Sequence, residues 1–147
     1  MSSEEKGQWV YLVAILLTSL GYVAVVLGRA DGGPLTDVDY VPVLVAAIGA
    51  GIVLAIVGRI AVGIAGGIAA ELAGDDPNQP EDVRDRDIGR FGEYVAGTVL
   101  GVGMIVPFVL ALADAASFWI ANAMYLAFVL SAVVGAAVKL VAYRRGL

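Results

Sequence analysis

The chain has 147 residues, of which 60% are hydrophobic and 16% charged, with a net charge of -5 and a mean hydropathy of +0.88. A soluble domain averages about 45–50% apolar and about 25% charged, so this much apolar surface exceeds what one water-facing core hides, and lipid is expected to be part of the solvent. The absence of Cys and His excludes disulfides, thiol redox chemistry, Cys/His zinc or haem sites and any mechanism with a His base, and the acidic balance excludes a basic nucleic-acid binder.

A helix crosses a hydrocarbon core of about 30 Å with about 20 mainly apolar residues, and a lone strand leaves its backbone groups unsatisfied there. Four stretches meet the helical requirement. The first, Trp9 to Gly28, carries no charge. A cleaved signal peptide competes for this stretch, with Gly28-x-Ala30 as a small-residue site; against it, the apolar run exceeds the usual length of about 7–15 residues, and Glu4 and Glu5 stand where a basic region belongs. Arg29 to Asp39 contains Asp31-Gly-Gly-Pro34, a turn signal.

The second span, Tyr40 to Gly58, meets its first charge at Arg59, yet the apolar pattern continues to Ala70. Centring the membrane near Gly58 would bury Arg59 at a cost of about 2.5–3.5 kcal/mol, so the centre is expected near Ala50, with Arg59 at the inner interface. The helix then runs on with Ile60, Ile64, Ile68 and Leu72 on one stripe, for packing against helices or headgroups, or for docking a partner. Gly74 to Pro80 reads as a loop. A new helix is expected to start near Glu81 or Asp82, with Asp85 and Asp87 in its first turns, where the helix dipole favours acids. Asp85-x-Asp87 has the opening of a calcium loop, but Arg90 occupies the position that needs glycine, so a solvated helix start is the better reading.

The third span, Tyr94 to Ala113, holds Pro107, which should kink it. Asp114 to Ser117 barely turns the chain before the fourth span, Ala115 to Val138. Arg59, Glu93, Asp114 and Lys139 all fall at span ends, so no ionisable group lies at mid-membrane; Asn122 is the deepest strongly polar side chain and reads as structural glue, with Thr18, Ser19, Tyr22, Thr98 and Ser131. Small residues recur at close-packing spacing: Ala123, Ala127, Ser131 and Gly135 in span four, Gly97 and Gly101 in span three, Gly63 and Gly67 after span two, and Ala47, Gly51 and Ala55 within it. Trp9, Tyr11, Tyr40, Trp119 and Tyr143 lie near span ends as an aromatic belt.

Asp82-Val-Arg-Asp-Arg-Asp-Ile88, followed by Arg90-Phe-Gly-Glu-Tyr94, resembles the Asp-Glu-Arg-Asp-x-x-Ile motif of a family of small, uncharacterised prokaryotic four-span membrane proteins. Phe118-Trp-Ile-Ala-Asn122 and Tyr143-Arg-Arg-Gly146 resemble the last span and tail of the same family, so the likeness covers 82 to 146; Val83 departs from the usual acid. The resemblance implies a four-span topology and a cytoplasmic motif around Asp82, Arg84, Asp85 and Ile88, and no activity.

The expected fold is therefore an all-α integral membrane four-helix bundle of two antiparallel hairpins, in one domain, with the connection 59–93 and both termini in the cytoplasm of a cell with a plasma membrane. The leading functional expectation is a non-enzymatic accessory, structural or regulatory protein without cofactor or metal, whose partners are membrane lipid and a second copy or another membrane protein. An oligomeric small-solute or ion transporter or channel is the alternative. A membrane enzyme using Asp82, Asp85 or Glu93 ranks last, because acids at a helix start need no catalytic reason. Orientation follows from Lys and Arg: Lys6, Arg59, Arg84, Arg86, Arg90, Lys139, Arg144 and Arg145 lie on one side and Arg29 alone on the other. Single Cys probes at Ser3, Asn78 and Gly146 should accordingly resist an impermeant thiol reagent in intact cells while one at Gly33 labels; external labelling at Asn78 would reverse the topology.

Overall fold

The computed structural model describes residues 3–73 and 83–145 and is helical through almost all of them. Its elements are α1 (Ser3–Ala30), a single 3-10 turn (Leu35–Asp37), α2 (Val41–Ala73), α3 (Val83–Gly103), α4 (Ile105–Leu112) and α5 (Ser117–Arg145). Four helical runs, Glu5–Ala30, Val41–Ile68, Val83–Leu112 and Ser117–Arg145, are long and apolar enough to cross a membrane, the helices of a multi-pass protein. Each matches one expected span to within two residues at one end and extends beyond it at the other, the first at both ends. The 33 residues of α2 rise about 50 Å, well beyond a core of about 30 Å, so the helix passes Arg59 without a break. The expected loop Gly74–Pro80 and the helix start at Glu81 or Asp82 lie outside the described residues; α3 is helical from Val83.

Burial is inverted relative to a water-soluble protein. None of the most apolar stretch of α2 is buried, and Ile48, Ile52, Val57, Ile64 and Ile68 are all exposed. The residues that are buried are mostly small, as expected where lipid competes equally for large apolar side chains and helices associate by close approach and hydrogen bonding. α2 packs on α1, α1 on α5, and α5 on α3 and α4, so the helices stand in a row ordered α2, α1, α5, α3.

The seam between α3 and α5 is the tightest. A Cβ at Gly103 would lie 3.0 Å from the Ala127 Cβ, and one at Gly135 would lie 2.8 Å from the Ala96 Cβ. Between these two points the Ser131 hydroxyl donates to the Ala96 carbonyl at 2.7 Å. Ala127, Ser131 and Gly135 are buried in this seam, and Ala123 is half-buried above them. Gly97 and Gly101, expected as a packing pair, are exposed, and a Cβ at either would meet nothing within 4 Å. The helical phase gives the reason: Ile88, Gly92, Ala96 and Gly103 share the face toward α5, and a step of one residue from Ala96 turns Gly97 about 100° away, so the pair does not pack within the chain and only self-association is left to it. A Cβ at Gly63 or Gly67 would likewise meet nothing, whereas one at Gly51 would lie 3.4 Å from the Thr18 hydroxyl and one at Gly58 would run into Val10 along the seam of α1 and α2.

At the end of the molecule holding the short turns, Tyr22, Val26 and Phe118 are buried together, with Val38, Tyr40 and Leu44 packed around them. Edge-to-face ring pairs join Tyr22 to Tyr125 at 5.2 Å and Tyr40 to Phe118 at 5.0 Å. The Tyr22 hydroxyl donates to Asn122 Oδ1 at 2.7 Å, Asn122 Nδ2 donates to the Phe118 carbonyl, and the Tyr125 hydroxyl donates to Ser19 Oγ at 3.3 Å. These bonds tie α1 to α5.

Two backbone features shape the third crossing. The helix stops at Gly103 and resumes at Ile105 because Pro107 has no N–H for the Gly103 carbonyl and its ring crowds that oxygen. At the far end Asp114 takes a left-handed φ of 54°, and the amides of Asp114 and Ala115 return to the carbonyls of Ala111 and Leu110, closing the helix with a double hydrogen bond.

Replacing Ala127 with Leu should overpack the α3–α5 seam and destabilise the protein by about 1–3 kcal/mol, read as a lower melting temperature in detergent. Val102→Leu, at an exposed position, should leave melting unchanged. Equal melting of the two variants would remove the seam from the account.

Candidate functional site

At the opposite end, Arg144 Nε lies 3.9 Å from Glu5 Oε1 and its guanidinium stands 5.6 Å from the Trp9 ring centre, so the two chain ends are tied together. Here α2 leans on α1 and, among the described residues, has no comparable packing against α5 or α3. The gap is a cavity of about 420 Å³ walled by α1, α2, α3 and α5, with Gln8, Tyr11, Arg59, Glu93 and Lys139 as its polar lining.

Lys139 dominates this cavity. Its side chain is only 17% exposed, and Nζ sits 3.8 Å from Glu93 Oε1, whose side chain is 77% exposed. The Lys139 stem lies across Gly92, in the space a Cβ there would fill. A long charged side chain thereby reaches the cavity from deep within the helix row while its methylenes stay packed. Arg59 and Glu93, expected at one level of the membrane, do line the same cavity, but α2 and α3 are not packing neighbours, and the ion-pair partner seen for Glu93 belongs to α5.

Lys139 was readable in the sequence only as a charge at a span end. The signal that places it better is the row of small residues: counting on by four from Ala127, Ser131 and Gly135 reaches position 139, on the face toward α3.

The cavity has two extensions. Toward the chain ends, a vestibule of about 220 Å³ shares Gln8, Arg59, Glu93 and Lys139 with it and adds Asp85, Arg86, Arg90 and Tyr143. Of the motif residues singled out in the sequence, Asp85 therefore lines the vestibule, Ile88 is buried and anchors α3, Arg84 is exposed, and Asp82 lies outside the described residues. Toward the aromatic cluster, an almost wholly apolar groove of about 680 Å³ continues from Tyr11, Ala55 and Ala132 along α1, α2 and α5 as far as Leu44 and Tyr125.

Among the described residues the vestibule and cavity are lined by the charged side chains of Arg59, Arg86, Arg90 and Lys139 with Asp85 and Glu93. This arrangement suits holding an anion beside a greasy wall. Among the described residues no group of three metal-type ligands is present. No protein-family model, no curated protein and no solved structure matches the chain.

Gly92 and Lys139 should be strongly coupled. In a Lys139→Ala background, Gly92→Ala should stabilise α3 by about 1 kcal/mol, the ordinary helical preference for Ala over Gly. With Lys139 present the added methyl should displace its stem, and the gain should vanish or reverse. Strictly additive melting temperatures across the four proteins would show that Lys139 does not rest on Gly92.

Proposed function

We propose that the chain is a non-enzymatic plasma-membrane protein of accessory, structural or regulatory type, which works by association rather than by chemistry. In this reading it forms two antiparallel hairpins with both termini in the cytoplasm, and the vestibule opens to that side. Two observations support the topology: eight of the nine Lys and Arg fall on one side, and along the α1–α2 seam Val10 meets Gly58 while Thr18 meets Gly51, so the chain numbers run in opposite directions.

The observation that carries association is the open row. α2 is an end helix whose apolar surface is left uncovered by the chain, including Ile60, Ile64, Ile68 and the 85% exposed Leu72 on the stretch beyond Arg59. The partner is a second copy or another membrane protein. Because the chain has no Cys, Ile52→Cys on the exposed face of α2 gives a clean probe. In native membranes a benzophenone attached to this thiol should, on illumination, join it to a second polypeptide by insertion into a C–H bond, whereas the same probe on Cys at Thr36, in the short turn, should give no such adduct. Only uncross-linked monomer at Ile52 would overturn the association reading.

A transporter or channel is the second reading, favoured by one feature: the cavity opens at the end holding the chain termini, and its apolar extension stops against the cluster of Tyr125 and its neighbours. Solute or ion flux in proteoliposomes that Lys139→Gln abolishes would establish that reading over the first.

A further inference from the structure

We infer that the vestibule, cavity and groove together form a site for one anionic phospholipid, with the phosphate between Arg59 and Lys139 and one acyl chain lying along the groove between α1, α2 and α5. This inference rests on the four-span reading and on nothing about what the protein associates with.

Continuity is the first argument. The vestibule and cavity share Arg59, Glu93 and Lys139, and the cavity and groove share Tyr11, Ala55 and Ala132, so a single amphipathic molecule can occupy all three. Polarity changes along that path in the order a phospholipid requires. The vestibule is charged, the cavity is mixed, and in the groove Thr18 and Ser19 are the polar residues beside tyrosine hydroxyls. The Thr18 hydroxyl is turned to its own helix, donating to the Ala14 carbonyl at 2.9 Å, and Ser19 accepts from Tyr125, so neither demands a polar ligand.

Length is the second argument. The groove runs from Tyr11 to Ser19 on α1 and from Leu44 to Ile56 on α2, about 12 and 18 Å at 1.5 Å per residue. Half of a hydrocarbon core of about 30 Å is about 15 Å, the depth of one leaflet. A chain anchored at the level of Arg59 would therefore be accommodated over its whole leaflet.

Charge selects the headgroup. Among the described residues Arg59, Arg86, Arg90 and Lys139 outnumber the carboxylates in the lining, and guanidinium and ammonium groups bind phosphate by charge-assisted hydrogen bonds. A zwitterionic headgroup would bring its own cation toward Arg86 and Arg90. The opposite end of the helix row has no such cluster: Arg29 there donates to the Asp39 carbonyl at 3.0 Å, among Asp31, Asp37 and Asp39. A free phosphate would use the vestibule and leave the groove unexplained.

The test is native mass spectrometry of the full chain in detergent, titrated with phosphatidylglycerol, with phosphatidylcholine of the same acyl chains, and with soluble glycerol phosphate. One phosphatidylglycerol should be retained, in preference to phosphatidylcholine by roughly fivefold, as the single charge by which the two headgroups differ predicts. Glycerol phosphate alone should not be retained. Lys139→Gln and Arg59→Gln should each weaken retention about fivefold, Ala55→Leu should weaken it by filling the groove, and Arg29→Gln should do nothing. Equal retention of the two lipids by the unmodified protein would overturn the inference without reliance on any variant. Retention of glycerol phosphate as strong as that of phosphatidylglycerol would replace the lipid with a free-phosphate site, and full retention by a Lys139→Gln protein of native helical content would remove the proposed headgroup contact. The Ile52 cross-link, measured on the same preparation, separates the two readings: lipid selectivity lost with the adduct intact sinks the lipid site alone.

Discussion

Inside a bilayer an apolar side chain gains little by leaving lipid for a neighbouring helix, and every feature of this fold answers to that constraint. Closeness replaces hydrophobicity as the organising force. The α3–α5 seam is built where Gly103 meets Ala127 and Gly135 meets Ala96, because only small residues let two backbones approach far enough for Ser131 to reach a carbonyl of the next helix. The large aliphatic residues, which would form the core in water, are left on the surface of α2 and on the outer faces of α1, α4 and α5.

The two ends of the row solve the problem of polar groups differently. Where the short turns lie, the polar side chains of the aromatic cluster meet protein partners: Tyr22 with Asn122, Asn122 with the Phe118 carbonyl, and Tyr125 with Ser19. Aromatic rings fill the space between the bonds, and α1, α5 and the start of α2 are drawn together. At the other end the helices are held by fewer direct contacts, and the polar groups line a space instead. Lys139 is mostly enclosed, yet its nearest carboxylate, Glu93, is well exposed and 3.8 Å away, an arrangement that leaves room for an anion between Lys139 and Arg59. One end is a clasp and the other is a cleft, and the difference follows from which side chains were placed on facing surfaces.

Much of the plan was legible in the chain. The four crossings follow from runs of uncharged residues, the continuation of α2 past Arg59 follows from the unbroken apolar pattern to Ala70, and the break before Pro107 follows from its missing N–H. The row of Ala127, Ser131 and Gly135 was legible as a close-packing face for the same reason: spacing by four puts side chains on one stripe whatever surrounds the helix. Gly97 and Gly101 have the same spacing and turned out to lie on the bare side of α3, because spacing defines a stripe without saying what faces it.

The cleft needed the tertiary structure. In sequence, Arg59, Glu93 and Lys139 are three charges at three span ends, with Arg59 and Glu93 expected at the inner interface and their partners left open. The helix order supplies what spacing does not: α5 packs on α3 and α1 on α2, so Glu93 meets Lys139, and Arg59 lines the same cavity from α2. By itself the sequence determined what is local and periodic, namely which segments are helices, which solvent they require and which residues share a stripe, since each depends on composition and on the 3.6-residue turn. Which stripes meet, and hence where a cavity is left between them, depends on the choice among many helix orders of similar apolar content, and that choice is visible only in the fit of Gly51, Gly58, Gly92, Gly103 and Gly135 against their neighbours and in the bonds of Tyr22 and Tyr125 between α1 and α5.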